Sequence, residues 1–262
     1  MPARPGNVRS PEAYAVTVTT RLAIDALRSA RHRREYYVGP WLPEPLVDCD
    51  GADPAWQIEM EESVSVAFLV VLETLSPIER AVFVLRELFG YEYAELATVV
   101  GRSEANCRQI LHRARQHIDD RRARFEPSAT ERDRLAEQFF AAIRDGDLGG
   151  LESVLADDVV FYGDGGGKAP AVRKPVRGAT QVARFLLGLA RQANRLGCRL
   201  EPARVNGQPG VWISSHDGAV LGVLALGIGD GGVVTAYNQI NPDKLAHLGT
   251  VGDLGTLQGT AY

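Results

Sequence analysis

Cysteine is scarce here, and no long apolar run is present. Cys49, Cys107 and Cys198 are the three cysteines, far apart and never spaced as C-x-x-C. Neither a disulfide framework nor a thiolate zinc site is expected, and a reducing compartment suits them. No window approaches 18 consecutive apolar residues, and the N-terminus lacks a basic stretch followed by an apolar core and a small-residue cleavage site. The expectation is a cytoplasmic chain with no membrane partner. His32, His112, His117, His216 and His247 form no i, i+4 pair and have no cysteine partner, so neither metal nor cofactor is expected. The candidate phosphate loop at Gly163–Lys168 also fails. A Walker loop needs Gly five residues before the Gly of its Gly-Lys pair and Ser or Thr after the Lys, and those positions hold Tyr162 and Ala169.

A net charge of -4 argues at first against nucleic acid, but the charge is unevenly placed. Arg21, Arg28, Arg31, Arg33 and Arg34 crowd one early segment, and Arg102, Arg108, Arg113, Arg115, Arg121, Arg122 and Arg124 crowd a second. Between them, residues 44–62 carry Glu44, Asp48, Asp50, Asp53, Glu59, Glu61 and Glu62 and no Lys or Arg. Two separated basic faces can sit on a polyanion while an acidic connector is held off it. The 262 residues, 45% hydrophobic, suit two folded units.

Local signals divide the chain further. Ser10 and Pro11 can open a helix to Arg34, with Tyr14, Val18, Leu22 and Ala26 as its expected buried stripe. Three prolines in six residues, Pro40, Pro43 and Pro45, then begin a linker. Helix returns from about Ile58, with an apolar stripe of Val64, Phe68, Val71, Leu72 and Leu75. Ser76-Pro77 with Glu79 matches a capping box, and the helix it opens stops at Gly90. A short helix over about 93–100, a turn at Gly101-Arg102 and a helix capped by Ser103 follow. Cys107, Leu111, Ala114 and Ile118 face that last helix's core. This is the helix-turn-helix spacing, in which the second helix offers its N-terminal residues to base edges. Glu104, Asn106, Arg108, Gln109, His112, Arg113 and Arg115 remain on its other faces; of these, Asn and Gln can bond adenine, and Arg can bond guanine or phosphate.

Beyond Glu126-Pro127 the composition turns to Gly, Val and short apolar runs. Helices are expected over about 131–144, 151–155 and 179–189, with strands near 159–161, 199–205, 211–214, 219–228 and 233–240. Asn-Gly and Asp-Gly turns separate the later runs. Helices followed by an antiparallel meander define an α+β domain rather than a parallel α/β one. The Gly- and Thr-rich tail after Leu245 is expected to be mobile.

Three blocks in order, Ser76 to Glu87, Gly90 to Ala97 and Leu111 to Arg115, closely resemble region four of extracytoplasmic-function sigma factors. The resemblance implies that this region binds the minus-35 promoter element and touches the flap of core RNA polymerase. By position it implies DNA contacts at Ser103, Glu104, Asn106, Arg108, Gln109 and Arg113. Cys107 stands where that family usually has Val. Pro11 to Tyr14 and Thr19 to Arg28 are similar to the end of sigma region two, which faces the minus-10 element, so Arg21 and Arg28 join the candidate DNA contacts. The helices that precede this one in the family, which grip the polymerase clamp, are absent before Met1, and the chain alone should open promoters poorly.

Trp41-Leu42-Pro43-Glu44-Pro45, Asp164-Gly165-Gly166-Gly167-Lys168 and Asn241-Pro242-Asp243-Lys244-Leu245 look like the sigma-J-like group, in which such a sigma factor is fused to a SnoaL-like domain. The implied organisation is a region-two remnant over 1–38, a Pro-rich acidic linker over 39–57, an all-α helix-turn-helix region four over 58–126, an α+β NTF2-like cone over 127–245 and a flexible tail over 246–262. The rear domain would regulate from within the chain through Trp41, Leu42, Pro43, Asp164, Gly165, Gly166, Gly167, Lys168, Asn241, Pro242, Asp243 and Lys244, with Asp164 and Lys168 presented by a loop at a pocket rim or to the sigma regions. Its pocket invites a small-molecule ligand. Enzymes of this fold move a proton with a pocket Asp, and Asp158, Tyr162, Asp164, Trp212, His216 and Asn238 are the available groups, but no spacing among them fixes a catalytic pair. The expected function is therefore promoter direction without catalysis, the alternative being a small isomerase or ligand-sensing domain fused to a DNA-binding module.

Overall fold

A computed structural model describes residues 11–34, 37–48, 66–119 and 128–255. They divide into two compact units, one within Met1–Tyr36 and Val71–Arg122, the other within Tyr37–Val70 and Ala123–Tyr262. The expected start of helix over 58–65 and the Ser10 cap lie outside the described residues.

The first unit is helical: α1 Pro11–Arg34, α2 Val66–Thr74 entering it from the other unit, α3 Pro77–Phe83 running on as a wider π turn over Val84–Leu88, α4 Tyr93–Val100 and α5 Glu104–Asp119. Ser76 caps α3 with both halves of a capping box: its hydroxyl accepts from the Glu79 amide at 3.3 Å, and Glu79 accepts from the Ser76 amide at 2.9 Å. Leu72, Leu75, Val82, Phe83, Leu85, Leu96, Val99, Cys107, Ile110, Leu111, Ala114 and Ile118 are buried in this unit. α1 packs against α3 and α4, but with a different face from the one expected. Ile24 is buried, while Tyr14, Val18 and Leu22 are 53%, 37% and 64% exposed and Ala26 is exposed as well. Residues spaced strictly four apart drift by about 40° per step around a helix, so that set does not keep to one side.

The second unit is of α+β type. α6 Ala129–Asp145, α7 Leu148–Val154 and α8 Ala179–Arg195 line one face of a seven-stranded sheet ordered β1-β4-β5-β6-β7-β2-β3. Its strands are β1 Val47–Asp48, β2 Leu155–Asp164, β3 Val176–Arg177, β4 Arg199–Val205, β5 Gln208–Ser214, β6 Val220–Gly229 and β7 Gly232–Gln239. β4 to β7 form the expected meander. β2 and β7, however, pair in parallel, Phe161 opposite Ala236 and Asp164 opposite Gln239. A helical excursion between β2 and β4 returns the chain to the far edge, so β7 reaches β2 pointing the same way.

Two expected boundaries move. Residues 37–48, at the start of the expected linker, belong to this second unit, and Val47 and Asp48 extend its sheet beside Val205 and Arg204. Proline is tolerated there because the segment lies outside the central strands. The described part of the tail, residues 246–255, is not free either. α9 Pro242–Leu245 leads into a 3-10 turn, Ala246–Leu248, after which Val251 bridges Val220. The Val220 amide donates to Thr250 and the Gly252 amide to Val220, both at 2.8 Å.

Candidate nucleic-acid interface and connector clasp

Gly101 closes α4 in the left-handed conformation, φ +66°, and the chain re-enters helix three residues later. Ser103 lies at that re-entry and its hydroxyl accepts from the Asn106 amide at 3.2 Å. Ser103 is thus a helix cap whatever else it touches. Cys107 and Ala114 are fully buried, and Leu111 and Ile118 nearly so. Ile110, also buried, was not anticipated; it widens the stripe by the i+3 position beside Cys107. Burial, aided by the Glu104 charge, pushes the Cys107 thiol up, which leaves it inert packing.

Glu104, Asn106, Arg108, Gln109, His112, Arg113 and Arg115 are all exposed on the opposite side of α5. They are not equally free. Arg108 bonds Glu104 at 3.1 Å and stacks on the Tyr93 ring at 4.7 Å, shared with Arg86 at 4.8 Å. Arg115 reaches Glu87 at 2.7 Å, and Arg113 lies 3.9 Å from Glu79. Arg115 therefore braces α5 against the π turn, while Asn106, Gln109 and His112 make no such ties among the described residues. On α1, Arg21 and Arg28 are exposed, and Arg28 pairs with Asp25 at 3.0 Å.

The second unit gathers the three separate motif segments around one carboxylate. Asp164 is wholly buried, not presented at a rim. It accepts from the Tyr37 hydroxyl at 2.5 Å, the Leu42 amide at 2.8 Å, the Gly166 amide at 3.0 Å, the Gln239 side chain at 3.3 Å and the Lys244 ammonium at 2.7 Å. Lys244 also donates to the Leu42 carbonyl at 2.5 Å and lies 4.1 Å from the centre of the Trp41 ring. Gln239 donates to the Pro43 carbonyl at 3.1 Å, and Asn241 donates to the Tyr37 oxygen at 2.7 Å. Gly166, at φ +60°, passes so close to Asn241 that a Cβ would fall 2.3 Å from its amide nitrogen. Pro242 opens α9, which carries Lys244. Lys168 and Asp243 form an exposed pair at 2.6 Å on the outside of the cluster. Tyr37, Gln239, Asn206, which accepts from the Leu46 amide, and His247, beside the Pro45 carbonyl, complete the grip and carried no sequence signal. Burial first, then the Asp164 bond and charge, push the Tyr37 hydroxyl far up, so it stays a donor at neutral pH.

The family model for sigma-70 region 4 matches residues 65–118, the helices just described. The ECF RNA polymerase sigma factor SigJ of Mycobacterium tuberculosis is 38% identical over 255 residues, 90% of this chain and 79% of that protein. The chain belongs to the extracytoplasmic-function sigma factors. The probable sigma factor SigI of the same organism is 32% identical over 244 residues, covering 92% of this chain and 80% of its own. The crystal structure of Mycobacterium tuberculosis SigJ superposes with a TM-score of 0.71 at 34% identity, covering 92% of this chain and 84% of that one. This sigma factor thus joins a helical region four to an α+β rear domain.

The rear domain carries a cavity of about 520 Å³, open to solvent on one side, between α6, α8 and the sheet. Of the groups considered for proton transfer, Asn238 lines it, and Asp158, Tyr162, Asp164, Trp212 and His216 do not. Asp158 and His216 are exposed, Asp164 is committed to the connector, and Tyr162 and Trp212 pack on the sheet's other face. The described lining residues include no carboxylate and no histidine, so they do not assemble a base beside a bound carbonyl.

Proposed function

We propose that this sigma factor reads the minus-35 promoter element with α5, Asn106, Arg108, Gln109, His112 and Arg113 facing the major groove and Ser103, Glu104 and Arg115 positioning the helix. The supporting observation is the division of α5 itself: a buried stripe from Cys107 to Ile118 and an exposed polar side opposite. The Tyr93 ring and Glu104 hold the Arg108 guanidinium extended, which lowers the ordering cost of docking it on guanine. Glu104 must then be released or retained as a second contact. Arg21 and Arg28 face the minus-10 side, and the flap and clamp of core RNA polymerase are the protein partners, in the cytoplasm. The rear domain regulates from within the chain by holding residues 37–48, the start of the connector between the two DNA-contacting parts.

Arg108→Ala and Arg113→Ala should each weaken binding to promoter DNA by about 1–3 kcal/mol where a base contact is lost. Arg115→Ala should act less, since its partner is Glu87. Footprinting and equilibrium binding with core polymerase at moderate salt test this. Parent-like binding by both Arg108→Ala and Arg113→Ala would show that another face meets DNA.

A further inference from the structure

The rear-domain sheet is one wall with two different rooms. Successive residues of a strand point to opposite faces, and here the alternation separates the cavity from the connector. On β5, Val211 and Ile213 line the cavity while Trp212 packs in the cluster that holds Leu42. Leu224 on β6 lines it, while Val223 and Ala225 join that cluster. Phe161 and Tyr162 divide in the same way on β2. The end of β7 is the sharpest case: Asn238 and Ile240 line the cavity, while Gln239 and Asn241 bond the connector and its Tyr37.

The cavity's chemistry is specific. Leu, Ile, Val and Phe side chains dominate its lining, and Leu254 of the C-terminal segment helps close it. Among the described lining residues, one side chain is charged. Arg144, at the end of α6, is exposed, so it stands where the lining meets solvent, and it makes no ion pair among the described residues. A volume of about 520 Å³ lies within the range of ligand sites rather than of packing defects. A largely apolar interior, with the Gln192, Asn194 and Asn238 amides among its lining and Arg144 as the charged group of the described lining, complements an alkyl chain ending in an anion.

We propose that the cavity binds a long-chain carboxylate, hydrocarbon inside and acid group on Arg144, and that its occupancy is felt by residues 37–48 through the shared sheet. This rests on the reading of the rear domain as the regulator of the connector. An occupant pressing on Asn238 and Ile240 shifts Gln239 and Asn241, and with them the bonds to Pro43, Asp164 and Tyr37.

The test uses the full chain and calorimetry with dodecanoate, dodecanol and dodecylammonium. Dodecanoate should bind saturably, one per chain, ahead of the alcohol and well ahead of the amine. Arg144→Gln should weaken dodecanoate about tenfold while leaving dodecanol unchanged. Ala190→Phe, which fills the lining, should abolish all binding, and Leu196→Trp serves if that variant does not fold. Hydrogen exchange at the Leu42 amide should change when dodecanoate is added. No saturable binding, equal binding of acid and amine, an Arg144→Gln variant like the parent, or unaltered Leu42 exchange would each overturn the proposal. Promoter binding by the ligand-free chain, measured in parallel, separates this outcome from a failure of the promoter reading, which would leave dodecanoate binding intact.

Discussion

Asp164 shows what one buried charge can organise. With no exposure and five donors around it, its desolvation is offset by Lys244 and by hydrogen bonds to three segments of chain. Removing one member of such a pair leaves the other buried and uncompensated, which costs about 3–5 kcal/mol. Asp164→Ala should lower the melting temperature of the rear unit and speed exchange of the Leu42 amide. Lys168→Ala, which breaks only the exposed Asp243 pair, should change stability by about 1 kcal/mol or less. A scan of both variants in which they melt alike would deny Asp164 this role. Tyr37 adds a dependence on alkali. Its folded value is raised, so its contribution is complete below the ordinary value of 10.0 and is lost as pH climbs above it. Connector release at high pH, followed by Leu42 exchange, should be blunted in Tyr37→Phe.

At the scale of elements, the α3 capping box sets an acid limit. Burial works to raise the Glu79 carboxyl, but the Ser76 amide and hydroxyl, with the His117 and Arg113 charges, hold it below its ordinary 4.5. A lowered folded value means stability present above about 4.5 and lost as pH falls through the folded value. Glu79→Gln should therefore destabilise the helical unit at pH 7 by about 1 kcal/mol and flatten its melting curve against pH below 5. The same local chemistry is why these elements were legible in the sequence: caps at Ser76 and Ser103, stops at Gly90 and Gly101, and Asn206-Gly207 between β4 and β5 are all decided within a few residues. What depends on distant partners was not. The face of α1 is chosen by α3 and α4, which take Ile24 and leave Leu22 outside. The parallel pairing of β7 with β2 follows from the whole excursion between them. In the clasp, the motif segments were recognisable as words, yet their focus on Asp164 was not, and Tyr37 and Gln239 are ordinary residues whose bonds span up to 204 and 197 positions.

For the whole molecule, a net charge of -4 coexists with a basic reading face because acid is concentrated elsewhere, notably over residues 44–62. Promoter affinity should accordingly fall steeply as salt rises, each phosphate contact contributing about 0.9 to the logarithmic slope. Arg115→Ala, if that residue leaves Glu87 for a phosphate, should reduce the slope by about one. An unchanged slope would mean that the Glu87 tie persists on DNA.

Lys244 and Gln239 hold residues more than 190 positions ahead of them. During synthesis the helices that meet DNA therefore leave the ribosome well before the groups that grip the connector have been translated. A nascent chain that has not yet reached Gln239 and Lys244 lacks the groups that hold residues 37–48, and the clasp on Asp164 can close only after they are made.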